Sequence, residues 1–232
     1  MKIFISTTSF GEYDKSPLGL CIREGYEISM NPHGRKIKEG ELSELAKDAV
    51  GLIAGTEPLT EEMLSKLRRL KVISRCGAGL DNVDLKAADK LKIKVFNTPD
   101  APTVAVAELT VGLILNLLRK IGEMDSAIKS GKWEKLMGSL LSKKKVGIIG
   151  FGRIGRTVAK LLKPFNCEIK YFDPYVKDGA SGLSGFSKDR LLRWADIITI
   201  HASCDRILGA KELQRMKKGA WLVNVSRGNA LD

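Results

Sequence analysis

Short, nearly uninterrupted apolar runs alternate with helix-like segments through the first hundred residues. "KIFIS" (2–6), "YEISMN" (26–31), "VGLIAG" (50–55), "KVISRCG" (71–77) and "IKVFNT" (93–98) are too continuous in apolar character for a half-exposed sheet. They predict parallel strands covered on both faces. Between the third and fourth, "TEEMLSKLRRL" (60–70) opens at a candidate N-cap, Thr60, carries Glu61 and Glu62 in its first turn, and repeats Met63, Leu64, Leu67 and Leu70 along one face. That pattern predicts a crossover helix. Five strands joined by four helical segments make an α/β unit, and "NTPDAPT" (97–103), with two prolines, punctuates its end. A domain boundary is expected near Thr98, giving domains 1–98 and 99–232.

The second half opens with "VAVAELTVGLILNLLRKI" (104–121), whose nearly all-round apolar surface calls for burial on several sides, between domains or in a dimer. In "KKVGIIGFGRIGRTVAKLLKPFNCEIKYFDPY" (144–175) a strand runs into Gly150-x-Gly152-x-x-Gly155, a helix follows, and a second strand ends at Asp173. Each part of that order has a physical task in binding a dinucleotide. The first glycine allows a tight turn, the second lets a pyrophosphate approach the backbone, and the third lets helix pack on strand. Free amides at the helix start hold the phosphates. Asp173 is placed to accept from ribose hydroxyls and to repel a 2′-phosphate, which favours NAD over NADP. A flavin or S-adenosylmethionine uses similar turns, and periodicity does not separate them.

Composition narrows the class. The 232 residues are 44% hydrophobic and 28% charged, as expected of a soluble globular protein with a sizeable core. No run approaches the roughly 18 consecutive apolar residues of a membrane span, and the opening residues turn polar too soon for a signal peptide. A cytoplasmic location without membrane partners is the expectation. Cys21, Cys76, Cys167 and Cys204 are scattered with no C-x-x-C pair, so neither a zinc site nor a disulfide framework is predicted. The net charge of +12 is uneven: residues 1–99 carry 16 Lys and Arg against 14 Asp and Glu, the remainder 23 against 13. The basic residues of the second half are dispersed, which suits a small phosphorylated ligand better than nucleic acid.

Five stretches in order carry a resemblance: "RCGAGLDNVDLKAA" (75–88), "NTPDAPTVAVAELTVGLIL" (97–115), "VGIIGFGRIG" (146–155), "YFDPY" (171–175) and "MKKGAWLVNVSRG" (216–228). Together they resemble the D-2-hydroxyacid dehydrogenase family, more closely its phosphoglycerate-dehydrogenase-like branch. The resemblance implies a flavodoxin-like substrate domain followed by a Rossmann domain that binds NAD, and a homodimer formed through the Rossmann domain. It implies hydride transfer between the nicotinamide and the 2-carbon of a small 2-hydroxy or 2-keto acid. On the same ground, amides around Gly77, Ala78 and Gly79 receive the substrate carboxylate, with Ala78 also beside the cofactor. Arg227 binds that carboxylate and polarises the 2-oxygen. Arg153 and Ile154 give helix-start amides to the pyrophosphate, and Ala202, Val225, Ser226 and Arg227 line the cofactor.

Two expectations concern what the chain lacks. The family's general acid/base is a histidine oriented by a glutamate, both beyond the Ser-Arg-Gly turn, whereas this sequence has only His33 and His201, for which structural roles are expected. The chain closes on "NVSRGNALD" (224–232), so it reads as a fragment that is inactive alone: the strand "AWLVNV" (220–225) belongs inside a 3-2-1-4-5-6 sheet and, without its successor, is expected to be an apolar edge. Ala54 stands where phosphoglycerate enzymes of the family carry an arginine for the phosphate. Arg35, in the loop after the second strand, is the candidate to replace it. Glyoxylate, hydroxypyruvate and lactate remain open, as does a catalytically silent NAD(H)-binding sensor similar to the family's co-repressor relatives.

Overall fold

A computed structural model describes residues 1–38 and 40–232 and divides the chain into two units, Met1–Pro102 and Thr103–Asp232. In the first, all five expected strands form: β1 (Lys2–Ile5), β2 (Glu27–Met30), β3 (Gly51–Ala54), β4 (Val72–Arg75) and β5 (Lys94–Asn97). They pair in parallel in the order β2-β1-β3-β4-β5, the doubly wound flavodoxin-like arrangement. The connecting helices are α1 (Ser16–Arg23), α2 (Glu41–Leu45), α3 (Glu61–Lys66) and α4 (Leu85–Lys90). Thr60 caps α3 by accepting from the Met63 amide (3.3 Å), and Asp84 caps α4 by accepting from Ala87 (3.0 Å).

One sheet face is dry. Phe4, Leu52, Ala54 and Ile73 pack there against Leu42, Met63, Leu64 and Ala87 of the three later helices. The other face departs from the expectation of full burial: α1 buries none of its side chains, and Ser74 and Phe96 are exposed. The cause is the distribution of helices, three of the four being gathered on the opposite face.

The second unit begins with α5 (Thr103–Arg119) and α6 (Ile121–Lys129) and continues through β6 (Lys145–Ile149), α7 (Arg153–Leu162), β7 (Glu168–Phe172), α8 (Lys188–Trp194), β8 (Ile197–Ile200), α9 (Ala210–Leu213) and β9 (Trp221–Asn224). Helix α5 buries a single stripe, Ala107, Thr110, Ile114 and Leu118, and leaves Leu109 and Leu117 exposed, so its apolar surface is covered on one side rather than all round. The parallel sheet runs β7-β6-β8-β9. β7 and β8 flank β6, which puts a topological switch point at the carboxyl end of β6, where the glycine turn begins. Among the described residues β9 pairs only with β8, from Ile197 opposite Trp221 to Ile200 opposite Asn224. It is thus, among the described residues, at the edge of the sheet, as expected.

Candidate active site

The turn after β6 shows a different physical role for each of its three glycines. Gly150 has φ +87°, and a Cβ built on it would meet the Ala202 nitrogen at 2.7 Å and the His201 carbonyl carbon at 2.8 Å. It lets the turn close onto the loop after β8. A Cβ on Gly155 would fall 2.2 Å from the Gly150 carbonyl oxygen, so the start of α7 rests directly on the turn. A Cβ on Gly152 would meet nothing within 4 Å beyond its own chain neighbours and helix, which leaves that side of the turn open to a ligand. The first bond within α7 runs from the Arg156 amide to the Gly152 carbonyl (3.0 Å). The amides of Arg153, Ile154 and Gly155 accordingly have no intrahelical acceptor, and they meet the positive end of the helix dipole.

Asp173 is tied to this turn. Its Oδ2 accepts from the Phe151 amide (2.7 Å) and its Oδ1 from the Tyr175 amide (2.8 Å). A carboxylate offers about four lone-pair sites, so the half-buried group keeps acceptor capacity for ribose hydroxyls while being fixed in place. Beneath it Phe151 stacks on Tyr171 with ring centroids 4.0 Å apart. The Tyr171 hydroxyl donates to the Lys177 carbonyl (2.7 Å), which pins the segment after Asp173 to the sheet.

At the ends of β8 and β9, Ala202, Val225, Ser226 and Arg227 are all half-buried. The Ser-Arg-Gly turn is organised by Asn224, a residue the sequence reading passed over. Its Oδ1 accepts from the Ser226 amide (3.0 Å) and hydroxyl (2.8 Å), and its Nδ2 donates to the Arg227 carbonyl (2.7 Å). The N-x-S spacing, an Asx-turn pattern, was the available signal. Arg227 Nη1 donates to the Ser226 carbonyl (3.0 Å).

In the first unit the loop after β4 corrects one expectation. The Gly77 amide is used within the protein, donating to the Arg75 carbonyl (2.9 Å) and to Thr98 Oγ1 (3.1 Å). Gly77 makes the turn, and the donors open to an anion among the described residues are the amides of Ala78 and Gly79. Arg35 is also corrected. Both arms of its guanidinium hold Glu41, at 3.0 Å and 2.7 Å, and Nη1 reaches the Lys36 carbonyl as well. The Arg35 guanidinium and the Lys38 amide hold the Glu41 carboxyl down at about 2, so the pair stays ionised and Arg35 is not an uncommitted cation for a phosphate.

A sequence profile of the D-isomer specific 2-hydroxyacid dehydrogenase NAD binding domain matches residues 111–232. The chain belongs to the D-2-hydroxyacid dehydrogenase family. It is 38% identical to a D-3-phosphoglycerate dehydrogenase of Methanocaldococcus jannaschii over 204 residues, 83% of this chain and 39% of that protein. It is 34% identical to a hydroxypyruvate reductase of Thermotoga maritima over 222 residues, 90% of this chain and 72% of that one. The crystal structure of an NAD-dependent formate dehydrogenase from Staphylococcus aureus in complex with NAD is similar at a TM-score of 0.85 and 31% identity, covering all of this chain and 75% of the other. The chain thus spans about two fifths of the phosphoglycerate dehydrogenase it matches. NAD is the cofactor of this D-2-hydroxyacid dehydrogenase fold, and the open cradle at Gly152 with a fixed carboxylate at Asp173 fits it. Among the described residues no helix is long and apolar enough to cross a membrane.

The two histidines stand in different surroundings. His33 lies in an exposed loop after β2. His201 shares a hydrogen bond with Thr199 Oγ1 through Nε2 (3.0 Å), its Nδ1 is buried without a partner among the described residues, and burial pushes its imidazole down to about 4. It is neutral at pH 7. Protonation is therefore easier in the unfolded chain: the stability held by neutral His201 is complete above about pH 6.5 and is lost as pH falls toward about 4. Urea unfolding should show roughly 2 kcal/mol lost between about pH 7 and about pH 5, beyond the loss in His201→Asn. Parallel curves for the two proteins would refute this.

Proposed function

We propose that this sequence provides the NAD site and the carboxylate-binding groups of an enzyme that interconverts a small D-2-hydroxy acid and its 2-keto acid. The observation that carries the reading is the open, Asp173-anchored glycine turn at the switch point of the second sheet. When bound, NAD supplies the hydride acceptor and its reduced form the donor. The amides at the start of α7 hold the pyrophosphate, Asp173 accepts from the ribose, and Ala202, Val225 and Ser226 line the cofactor. The amides of Ala78 and Gly79 bind the substrate carboxylate, a contact for which small residues permit close approach. Arg227, a planar fork held in the Asn224 turn, suits a carboxylate and the polarisation of a 2-oxygen. Small unphosphorylated acids fit better than phosphoglycerate, because Ala54 brings no charge and Arg35 is committed to Glu41.

The second copy of a homodimer is proposed to cover exposed apolar side chains of the second unit, among them Leu109, Leu117, Trp133 and Met137 (the last two 89% and 85% exposed). With His201 neutral and Arg227 far too weak an acid to give up a proton near neutral pH, these 232 residues are expected to bind without turning over. The chain should sediment as a dimer, quench NADH fluorescence saturably, and leave NADH absorbance unchanged with glyoxylate, hydroxypyruvate or pyruvate. A monomer contradicts the dimer. Steady oxidation of NADH contradicts the assignment of the proton step to groups outside those named.

A further inference from the structure

At the amino end of the first sheet the fold gathers cations that the sequence keeps apart. Residues 1–99 are nearly balanced, with 16 Lys and Arg against 14 Asp and Glu. Yet a cleft of about 690 Å³ in this unit is lined by Arg68, Arg69, Lys71, Lys92 and Lys94, over an apolar floor that includes Leu70 and Val72. Among the described residues no carboxylate lines it.

Topology explains the meeting. Arg68 and Arg69 follow α3 and Lys92 follows α4, while Lys71 leads into β4 and Lys94 opens β5. These strands are neighbours: Lys94 stands opposite Val72, and its amide donates to the Lys71 carbonyl (2.9 Å). The end of a helix favours a cation beside it, which accounts for Arg68, Arg69 and Lys92. Strands carry no comparable dipole, so Lys71 and Lys94 need another reason. Pairing does not supply it. Arg69 reaches Asp48 only at 4.0 Å, and the other four cations have no carboxylate within ion-pair distance among the described residues. A cleft with charge of one sign over apolar walls concentrates counter-ions, and this one has the size of a small-molecule site.

We propose that the cleft binds a small oligophosphate, a molecule with two or more linked phosphate groups, either inorganic or the tail of a nucleotide. Linked phosphates bring several negative charges within reach of the five cations, where a single phosphate would meet only some of them. The apolar floor can carry a base if a nucleotide is the source. The site belongs to the first unit, at the opposite end of β4 from the Gly77 loop, and does not depend on the function proposed above.

Inorganic tripolyphosphate, ATP and orthophosphate are titrated by calorimetry into the NADH-saturated chain, in which ATP is kept off the dinucleotide site. The wild type is compared with Lys71→Gln/Lys94→Gln, with Lys92→Gly, and with Lys211→Gln/Lys218→Gln, which removes the same charge from exposed positions of the second unit. Tripolyphosphate should bind the wild type saturably and at least about tenfold more tightly than orthophosphate. Lys71→Gln/Lys94→Gln should weaken it at least about tenfold, and Lys211→Gln/Lys218→Gln should stay within about twofold of the wild type. Lys92 has φ +57°, a left-handed backbone that glycine adopts readily, so Lys92→Gly should bind at least about threefold more weakly without a lower melting temperature. Equal affinity for ATP and tripolyphosphate supports recognition of the phosphate chain alone; tighter ATP supports a nucleotide whose base lies on the apolar floor. Absence of saturable binding by either would overturn the inference. So would an equal loss in the two double variants, which would reduce the binding to diffuse attraction by a chain of net charge +12.

Discussion

Gly155→Ala should abolish NADH binding and destabilise the second unit by about 3 kcal/mol or more, a size expected when backbone must move to relieve overpacking. The sign is not obvious in advance, since alanine at an unstrained helical position usually adds up to about 1 kcal/mol of stability. Here the new methyl would lie 2.2 Å from the Gly150 carbonyl oxygen and 3.3 Å from Ile148 Cγ2. The first of these is backbone of the same turn that must receive the cofactor, and no rotamer change relieves it. Gly152→Ala is the matched control. With nothing within 4 Å, its methyl should leave stability within about 0.5 kcal/mol, yet it occupies the approach of the pyrophosphate and should weaken NADH at least about tenfold. Chemical denaturation and NADH titration on the two variants separate packing from binding. Equal stability of Gly155→Ala and wild type would show that α7 does not rest on the turn as described.

Arg227→Met should weaken binding of oxamate, an unreactive 2-keto acid analogue, to the NADH complex by roughly ten- to a hundredfold, the worth of a charge-assisted contact of about 1.5–3 kcal/mol. Arg227→Lys should recover little of this, because an ammonium cannot reproduce the planar two-pronged contact. Asn224→Ala tests the same site through its support. It removes one donor and both acceptor contacts that shape the Ser226–Arg227 turn, and it should lower oxamate affinity with Arg227 still present. Calorimetric titration reads all three. Oxamate affinity unchanged in Arg227→Met would remove Arg227 from the carboxylate site.

The strands and the glycine turn were legible because each is written in consecutive residues. Five apolar runs became β1 to β5 in chain order, and the Gly150, Gly152 and Gly155 spacing met the packing, opening and closure it implied. What escaped the sequence depends on side chains meeting across it. Nothing in the spacing of Arg35 reveals that Glu41 takes both arms of its guanidinium. The inward turn of the Gly77 amide requires knowing that Thr98, 21 residues away, stands beside it. Asn224 went unremarked because an asparagine ending an apolar run looks like a strand terminus, and its three hydrogen bonds become visible only once the turn is folded.

The central claim is that residues 144–175 form an NAD site whose selectivity is set by the Asp173 carboxylate. It is tested most directly by titrating NADH and NADPH into the wild-type chain and into Asp173→Asn. The asparagine keeps one acceptor, enough for the Phe151 amide though not also for that of Tyr175, and removes the charge, so the glycine turn keeps its anchor. NADH should bind the wild type saturably and at least about tenfold more tightly than NADPH, and most of that preference should disappear in Asp173→Asn. Equal affinities in the wild type, or a preference untouched by the substitution, would contradict the account.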